Sequence, residues 1–212
     1  MPTQRKQTSR SRGKAATRLS PREAAFVAEL PRKTVEQAID RGEVKPMRGG
    51  GERALDVAAV VYLRIRGEVG DLLTPKARKE VYRALRSEDR VRPRLELGPV
   101  AVSTTEAFRT VRERMERLRR ARAVVEVDPE VRGGEPVVRG TRIPVYMLAD
   151  LEKAGETHHR ILEDYPALDA AMLADALLYA SLNPRRGRPR AVPWRARKPR
   201  RVVRAEKLGG DR

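Results

Sequence analysis

The sequence predicts a mainly α protein. An N-terminal winged helix-turn-helix region is followed by a C-terminal hairpin and three-helix unit, and basic disordered tails flank the two. Three observations carry this. Helix caps recur ahead of apolar residues at helical spacing, at Ser20, Asp56, Ser103, Thr157 and Asp169. The β-branched runs are all short. The formal charge of +18 sits at the two ends: residues 1–18 carry +6, residues 184–212 carry +10, and the body between them is left with +2. Segments this basic and this poor in large apolar residues cannot bury enough surface to offset their chain entropy. They are expected to be disordered alone and to seek polyanions or acidic clefts.

A chain of 212 residues allows one large or two small domains. The aromatic share is only 4%, so Leu, Val and Ala must fill the cores. With no cysteine there is no disulfide framework and no thiolate metal site. The basic N-terminus lacks the apolar stretch of a secretory signal, and no run approaches the roughly 20 apolar residues of a membrane span. A cytoplasmic protein with no membrane partner is expected. The boundaries read as a basic arm over 1–18, the helix-turn-helix region over 19–90, and a linker with a connecting helix over 91–123. The hairpin and three-helix domain then covers 124–183, and an extended basic tail covers 184–212.

The arm is either a solvated tail or a strand lying along DNA phosphates. At Ser20-Pro21-Arg22-Glu23 the chain has the form of a capping box with Pro at the first helical position. Ala24, Ala25, Val27 and Ala28 give that helix a small-residue face, and Leu30-Pro31 breaks it. A second helix over 32–41 buries Val35, Ala38 and Ile39, and Gly42 stops it. Its other face offers Arg32, Lys33, Thr34, Gln37 and Arg41, side chains suited to base edges and phosphates. Residues 44–47 and 53–55 bracket Gly49-Gly50-Gly51 as a small wing, with Lys45, Arg48 and Arg53 as its cations. This segment, Leu19 to Leu55, resembles the winged helix-turn-helix of MerR-like and excisionase-like DNA-binding domains. The resemblance implies operator DNA as a partner; a helical subdomain with a solvated basic face is the other reading.

Asp56 caps a helix through Val57, Val60, Val61 and Leu63, and Thr74-Pro75 opens another with Val81, Tyr82 and Leu85 at helical spacing. Ser87 to Arg94 reads as linker, and Leu95-Leu97 and Val100-Val102 as short strands. Ser103-Thr104-Thr105-Glu106 reads as a second capping box. It opens a helix with Phe108, Val111, Met115 and Leu118 in a narrow stripe. That stripe is either the seam of a homodimer or the face laid on its own domain.

In the last domain, Val124-Val127 and Pro136-Val138 flank a turn-rich segment, a hairpin signal. Pro144 suits a first helical position and Gly155 a stop; Thr157 and Asp169 cap the two helices that follow. The string GGEPVVRGTRIPVYMLADLEKAG, with ILEDYP after it, resembles the bacterial and archaeal domain-of-unknown-function family numbered 433. Gly134, Pro136, Gly140, Thr141, Arg142, Ile143, Pro144, Gly155, Tyr165 and Pro166 match its pattern, while Glu135 stands where the family usually has Lys. The resemblance implies an antitoxin, similar to VapB-type partners of VapC-type PIN-domain ribonuclease toxins encoded by an adjacent gene.

The tail after Asn183 is broken by four prolines and holds Trp194, the protein's single tryptophan. Trp and Arg dominate binding hot spots. Trp194 is read as an anchor, with Arg195, Arg197, Arg200 or Arg201 entering the carboxylate cluster of the toxin in competition with Mg²⁺. A tail that binds nucleic acid without specificity, or packs on its own body, is the other reading. Nothing points to an enzyme, a cofactor or a metal. His158 and His159 are adjacent and point about 100° apart on a helix, and Gly49-Gly50-Gly51 lacks the Lys-Ser/Thr of a phosphate loop. The resulting expectation is an antitoxin that binds its toxin and its own operator; a stand-alone helix-turn-helix regulator is the alternative.

Overall fold

A computed structural model describes residues 17–47, 53–87, 93–97 and 100–185. The arm up to residue 16, the wing tip with Arg48, and the tail segment bearing Trp194, Arg195, Arg197, Arg200 and Arg201 lie outside the described residues. Among the described residues there are eight α-helices and four short strands, so the chain is mainly α. No helix among them is long and apolar enough to cross a membrane. The chain divides into two compact units, Met1–Met115 and Glu116–Arg212.

In the first unit, α1 (Pro21–Ala28) starts at a complete capping box: Ser20 Oγ accepts from Glu23 N–H, and Glu23 Oε2 accepts from Ser20 N–H at 2.8 Å. It stops where Glu29 takes a left-handed conformation, φ 53°, and Leu30 N–H donates to the Ala25 carbonyl. That conformation costs a non-glycine residue about 1–2 kcal/mol. Glu29 is held there by ion pairs to Arg64 and Arg114. After this three-residue turn comes α2 (Arg32–Asp40), closed in the same way at Gly42. Val35 and Ala38 are fully buried and Ile39 nearly so. Two bridges tie the chain beyond α2 together: Met47 N–H donates to Ala54 O at 2.7 Å, and Leu55 pairs with Leu19.

Next come α3 (Val57–Val69), capped by Asp56, and α4 (Pro75–Ser87), capped by Thr74. α3 packs against both α1 and α4. Val60, Val61, Leu63, Ile65 and Val81 are buried, each contributing about 1.5–3 kcal/mol relative to exposure. Tyr62 and Tyr82 meet with ring centroids 5.1 Å apart. Burial holds the Tyr62 hydroxyl above the usual tyrosine range, and the nearby Glu43 carboxylate pushes the same way. β1 (Arg94–Leu97) and β2 (Val100–Ser103) pair antiparallel, as their sequence pattern predicts.

α5 (Thr105–Ala123) corrects one expectation. Ser103 does not cap it, because Ser103 is paired with Arg94 at the end of β2. The first helical acceptor is the carbonyl of Thr104, which receives Phe108 N–H at 2.9 Å, while Thr104 N–H donates to Pro93 O. The strand pairing moves the start by one residue, so Glu106 falls out of the capping-box position. Val111, Met115 and Leu118 are buried by this chain itself, leaving no open apolar seam along those three positions.

The second unit is built from β3 (Val125–Glu126), β4 (Val137–Val138), α6 (Val145–Lys153), α7 (His158–Asp164) and α8 (Ala170–Leu182). β3 and β4 pair antiparallel, and α6, α7 and α8 pack on one another. Their core is Val125, Val138, Val145, Leu148, Ile161, Leu168, Leu173, Ala176 and Leu177. Thr157 and Asp169 cap α7 and α8 as expected, through Arg160 N–H and Met172 N–H. Pro144 is the capping residue of α6 and lies outside its first turn: its ψ of 130° is extended because Pro144 still bridges to Val137.

Candidate functional site

The candidate nucleic-acid face begins with the burial pattern of α2. Turning Val35, Ala38 and Ile39 inward leaves Lys33, Gln37 and Arg41, spaced i, i+4 and i+8, along the outer side. All three are exposed, and among the described residues none has an ion pair or side-chain hydrogen bond. The other predicted contacts sort differently. Arg32 is held by Glu36 at 2.7 Å, and Arg53 by Asp40 at 2.6 Å. Thr34 is half-buried, and its N–H donates to Pro31 O at the helix start. Lys45 is exposed on the far side of the Gly42 turn, with its backbone N–H donating to Tyr82 Oη at 3.2 Å. The structure thus brings Lys33, Gln37 and Arg41 together and ties Arg32 and Arg53 into local ion pairs.

The motif residues of the second unit form a turn and its supports. Val138 N–H donates to Ile143 O at 2.9 Å, closing a loop in which Gly140 has φ 73°. The Thr141 hydroxyl donates to Val138 O at 2.7 Å and accepts from Ile143 N–H at 3.1 Å, so it holds both ends of the turn. Pro136 O accepts Val145 N–H at 3.0 Å, which ties the strand to the first turn of α6. Gly134 closes the preceding 3₁₀ turn, with Glu135 following it. Tyr165 ends α7 with its hydroxyl 3.6 Å from Met147 Sδ, and Pro166 follows on the surface. Arg139 Nε donates to Ala123 O at 2.7 Å, capping the last carbonyls of α5. Arg142 differs from these: it is exposed and has no polar partner among the described residues.

Sequence reasoning missed one fixture. Arg185 donates to Asp150 Oδ2 at 3.1 Å and Glu135 Oε1 at 3.0 Å, and its guanidinium lies 4.8 Å from the Tyr146 ring centroid. Tyr146 Oη donates in turn to Asn183 O at 2.8 Å. The first residues of the tail are therefore anchored on α6. Glu135, the departure from the family pattern, supplies one of the two carboxylates, and this was the available signal. Among the described residues no group of three or more His, Asp or Glu side chains is placed to hold a metal ion.

Residues 125–180 match the family described as "Protein of unknown function (DUF433)". The chain is similar to the uncharacterized protein y4eO of Sinorhizobium fredii (strain NBRC 101917 / NGR234), at 47% identity over 83 residues. That match takes in 39% of this chain and 38% of y4eO, so the chain spans little more than a third of that relative's length. Among solved structures it is similar to a DUF433 member protein from Anabaena variabilis, at 30% identity over 36% of this chain and 75% of that one, with a TM-score of 0.29. It is also similar to Rv2018 from Mycobacterium tuberculosis, at 17% identity over 76% of this chain and 100% of that one, with a TM-score of 0.29.

Proposed function

For a chain that belongs through residues 125–180 to the DUF433 family, we propose the function of a DNA-binding antitoxin, acting by binding rather than by catalysis. The observation that carries it is the outer side of α2, where Lys33, Gln37 and Arg41 stand exposed beside a two-helix turn and the base of a wing. A recognition helix needs just such a row: Gln to read base edges, Lys and Arg for phosphates or guanine. In this reading the row holds operator DNA upstream of the chain's own gene. The C-terminal unit anchors the tail at Arg185, and the tail covers the acidic site of a PIN-domain ribonuclease. Trp194 packs on that partner, and an arginine among Arg195, Arg197, Arg200 and Arg201 pairs with its metal-binding carboxylates.

The test takes the full chain and a chain ending at Arg185, each co-expressed with the neighbouring gene's product and titrated with upstream and random DNA. Capture of a nuclease by the full chain alone is expected, together with a preference for upstream DNA that survives rising salt. Lys33→Glu and Arg41→Glu should abolish that preference. Capture by neither chain would remove the antitoxin half, and equal affinity for both DNAs would remove the operator half.

A further inference from the structure

α4 was read from sequence for its apolar stripe, and beside that stripe it carries a row of cations. Turning Val81 and Tyr82 inward sets Lys79, Arg83 and Arg86, at i, i+4 and i+7, along an adjoining stripe. These three side chains and Lys45, which comes from beyond α2, line a cavity of about 660 Å³. Tyr82 is also part of its wall, fixed by the hydrogen bond from Lys45 N–H and by its packing on Tyr62.

The cavity's charge is left unbalanced. Lys45, Lys79 and Arg83 have no carboxylate within ion-pair distance among the described residues. Arg86 leans over the Tyr82 ring at 5.8 Å and reaches Asp56 only at 3.6 Å. Glu43, the one acid in the lining, is paired with Arg66: Arg66 Nη2 donates to Glu43 Oε1 at 3.4 Å, and Nε lies 2.6 Å from Oε2. Its charge is thereby neutralised from behind. Like charges one helical turn apart repel each other. Most other arginines of this unit's helices are relieved by a carboxylate, as Arg32, Arg64, Arg66 and Arg114 are. A concave site lined by cations concentrates anions, and Arg and Lys together suit phosphate oxygens.

We propose that this groove is a phosphate-binding site, taking phosphate groups either of a free phosphorylated compound or of a nucleic-acid backbone. Its volume falls within the range of small-ligand sites, about 300–1,000 Å³. It is separate from the α2 row, since Lys33, Gln37 and Arg41 are not in its lining. The proposal is independent of the antitoxin reading and survives its failure.

The experiment titrates the full chain with pyrophosphate by calorimetry, and with a short random-sequence DNA duplex by fluorescence anisotropy, at about 0.15 M salt. It is repeated on Lys79→Glu, Arg83→Glu and, as a control on the α2 row, Lys33→Glu. Lys79 and Arg83 are exposed, so melting followed by circular dichroism should be unchanged in both variants. The basic tails add the same background to every variant. Losing one charge-assisted contact should weaken binding about tenfold or more. Pyrophosphate affinity lost in Lys79→Glu and Arg83→Glu but kept in Lys33→Glu assigns the site to a free phosphorylated compound. Duplex affinity lost in the same two variants, with a salt slope shallower by about one, assigns it to a nucleic-acid backbone. If neither titration responds to either α4 variant, the site does not exist.

Discussion

In the Glu116–Arg212 unit, Arg132, Arg160 and Arg185 each meet a carboxylate, Arg120 reaches Asp175, and Arg139 is taken up by backbone carbonyls. In the Met1–Met115 unit, Lys33, Arg41, Lys45, Lys79 and Arg83 meet no carboxylate among the described residues. Both units are helical, and both are held by buried Leu, Val and Ala. The first unit also pairs Arg32, Arg53, Arg64 and Arg66, and the second leaves Arg142 open among the described residues. The difference lies in the rows of open cations that the first unit carries. Where cations are neutralised inside the chain they fix geometry, such as the tail base at Arg185 or the end of α5 at Arg139. Where they are left open they stabilise nothing, repel one another, and are available to an anionic partner. A cation row without carboxylates is thus more informative about binding than a larger total charge.

The largest effect should come from the core of the paired unit. Leu148→Ala removes a fully buried side chain of α6 and should lower stability by about 2–5 kcal/mol. Lys33→Glu or Arg83→Glu in the other unit should stay within about 0.5 kcal/mol. Urea unfolding of the full chain, followed by circular dichroism, measures both. If reversing an open cation destabilises as much as emptying the core, those cations are structural and the contrast between the units collapses.

Arg185→Ala comes next. It removes two partly buried ion pairs and the stack on Tyr146, for an expected loss of about 1–2 kcal/mol. The loss should shrink with added salt, since the pairs are partly exposed. Unfolding of the variant at low and high salt checks this. An unchanged midpoint at low salt would mean that the tail base is not anchored there.

Much of the architecture was legible because helix caps are local chemistry. Ser20, Asp56, Thr74, Thr157 and Asp169 each cap through a side-chain oxygen and a backbone N–H three residues on, and no long-range contact is needed to see it. The failures at Ser103 and Pro144 share a cause. Each lies at a junction where strand pairing claims the backbone, by Arg94 in one case and Val137 in the other, and that partner is invisible from the local sequence. The candidate site was legible only as a list of cations. Glu36 and Asp40 withdraw Arg32 and Arg53 from it, and folding gathers Lys79, Arg83 and Arg86 with Lys45 into a separate groove. Residue type says which side chains can pair; only packing says which of them already have.

The smallest effect offers the closest control on this comparison. Gly42 in the first unit and Gly140 in the second both have left-handed φ, 68° and 73°, and a Cβ at either would meet open space. Ala at either position therefore pays only backbone strain, about 1 kcal/mol. Equal losses in urea unfolding for Gly42→Ala and Gly140→Ala would mean that the two turns are equivalent as backbone, leaving charge pairing as what separates the units. A markedly larger loss at Gly140 would point instead to the motif turn, where Thr141 holds both Val138 and Ile143. Twisting that turn would break two hydrogen bonds along with the preferred φ, and the cost would then belong to the Thr141 network rather than to glycine.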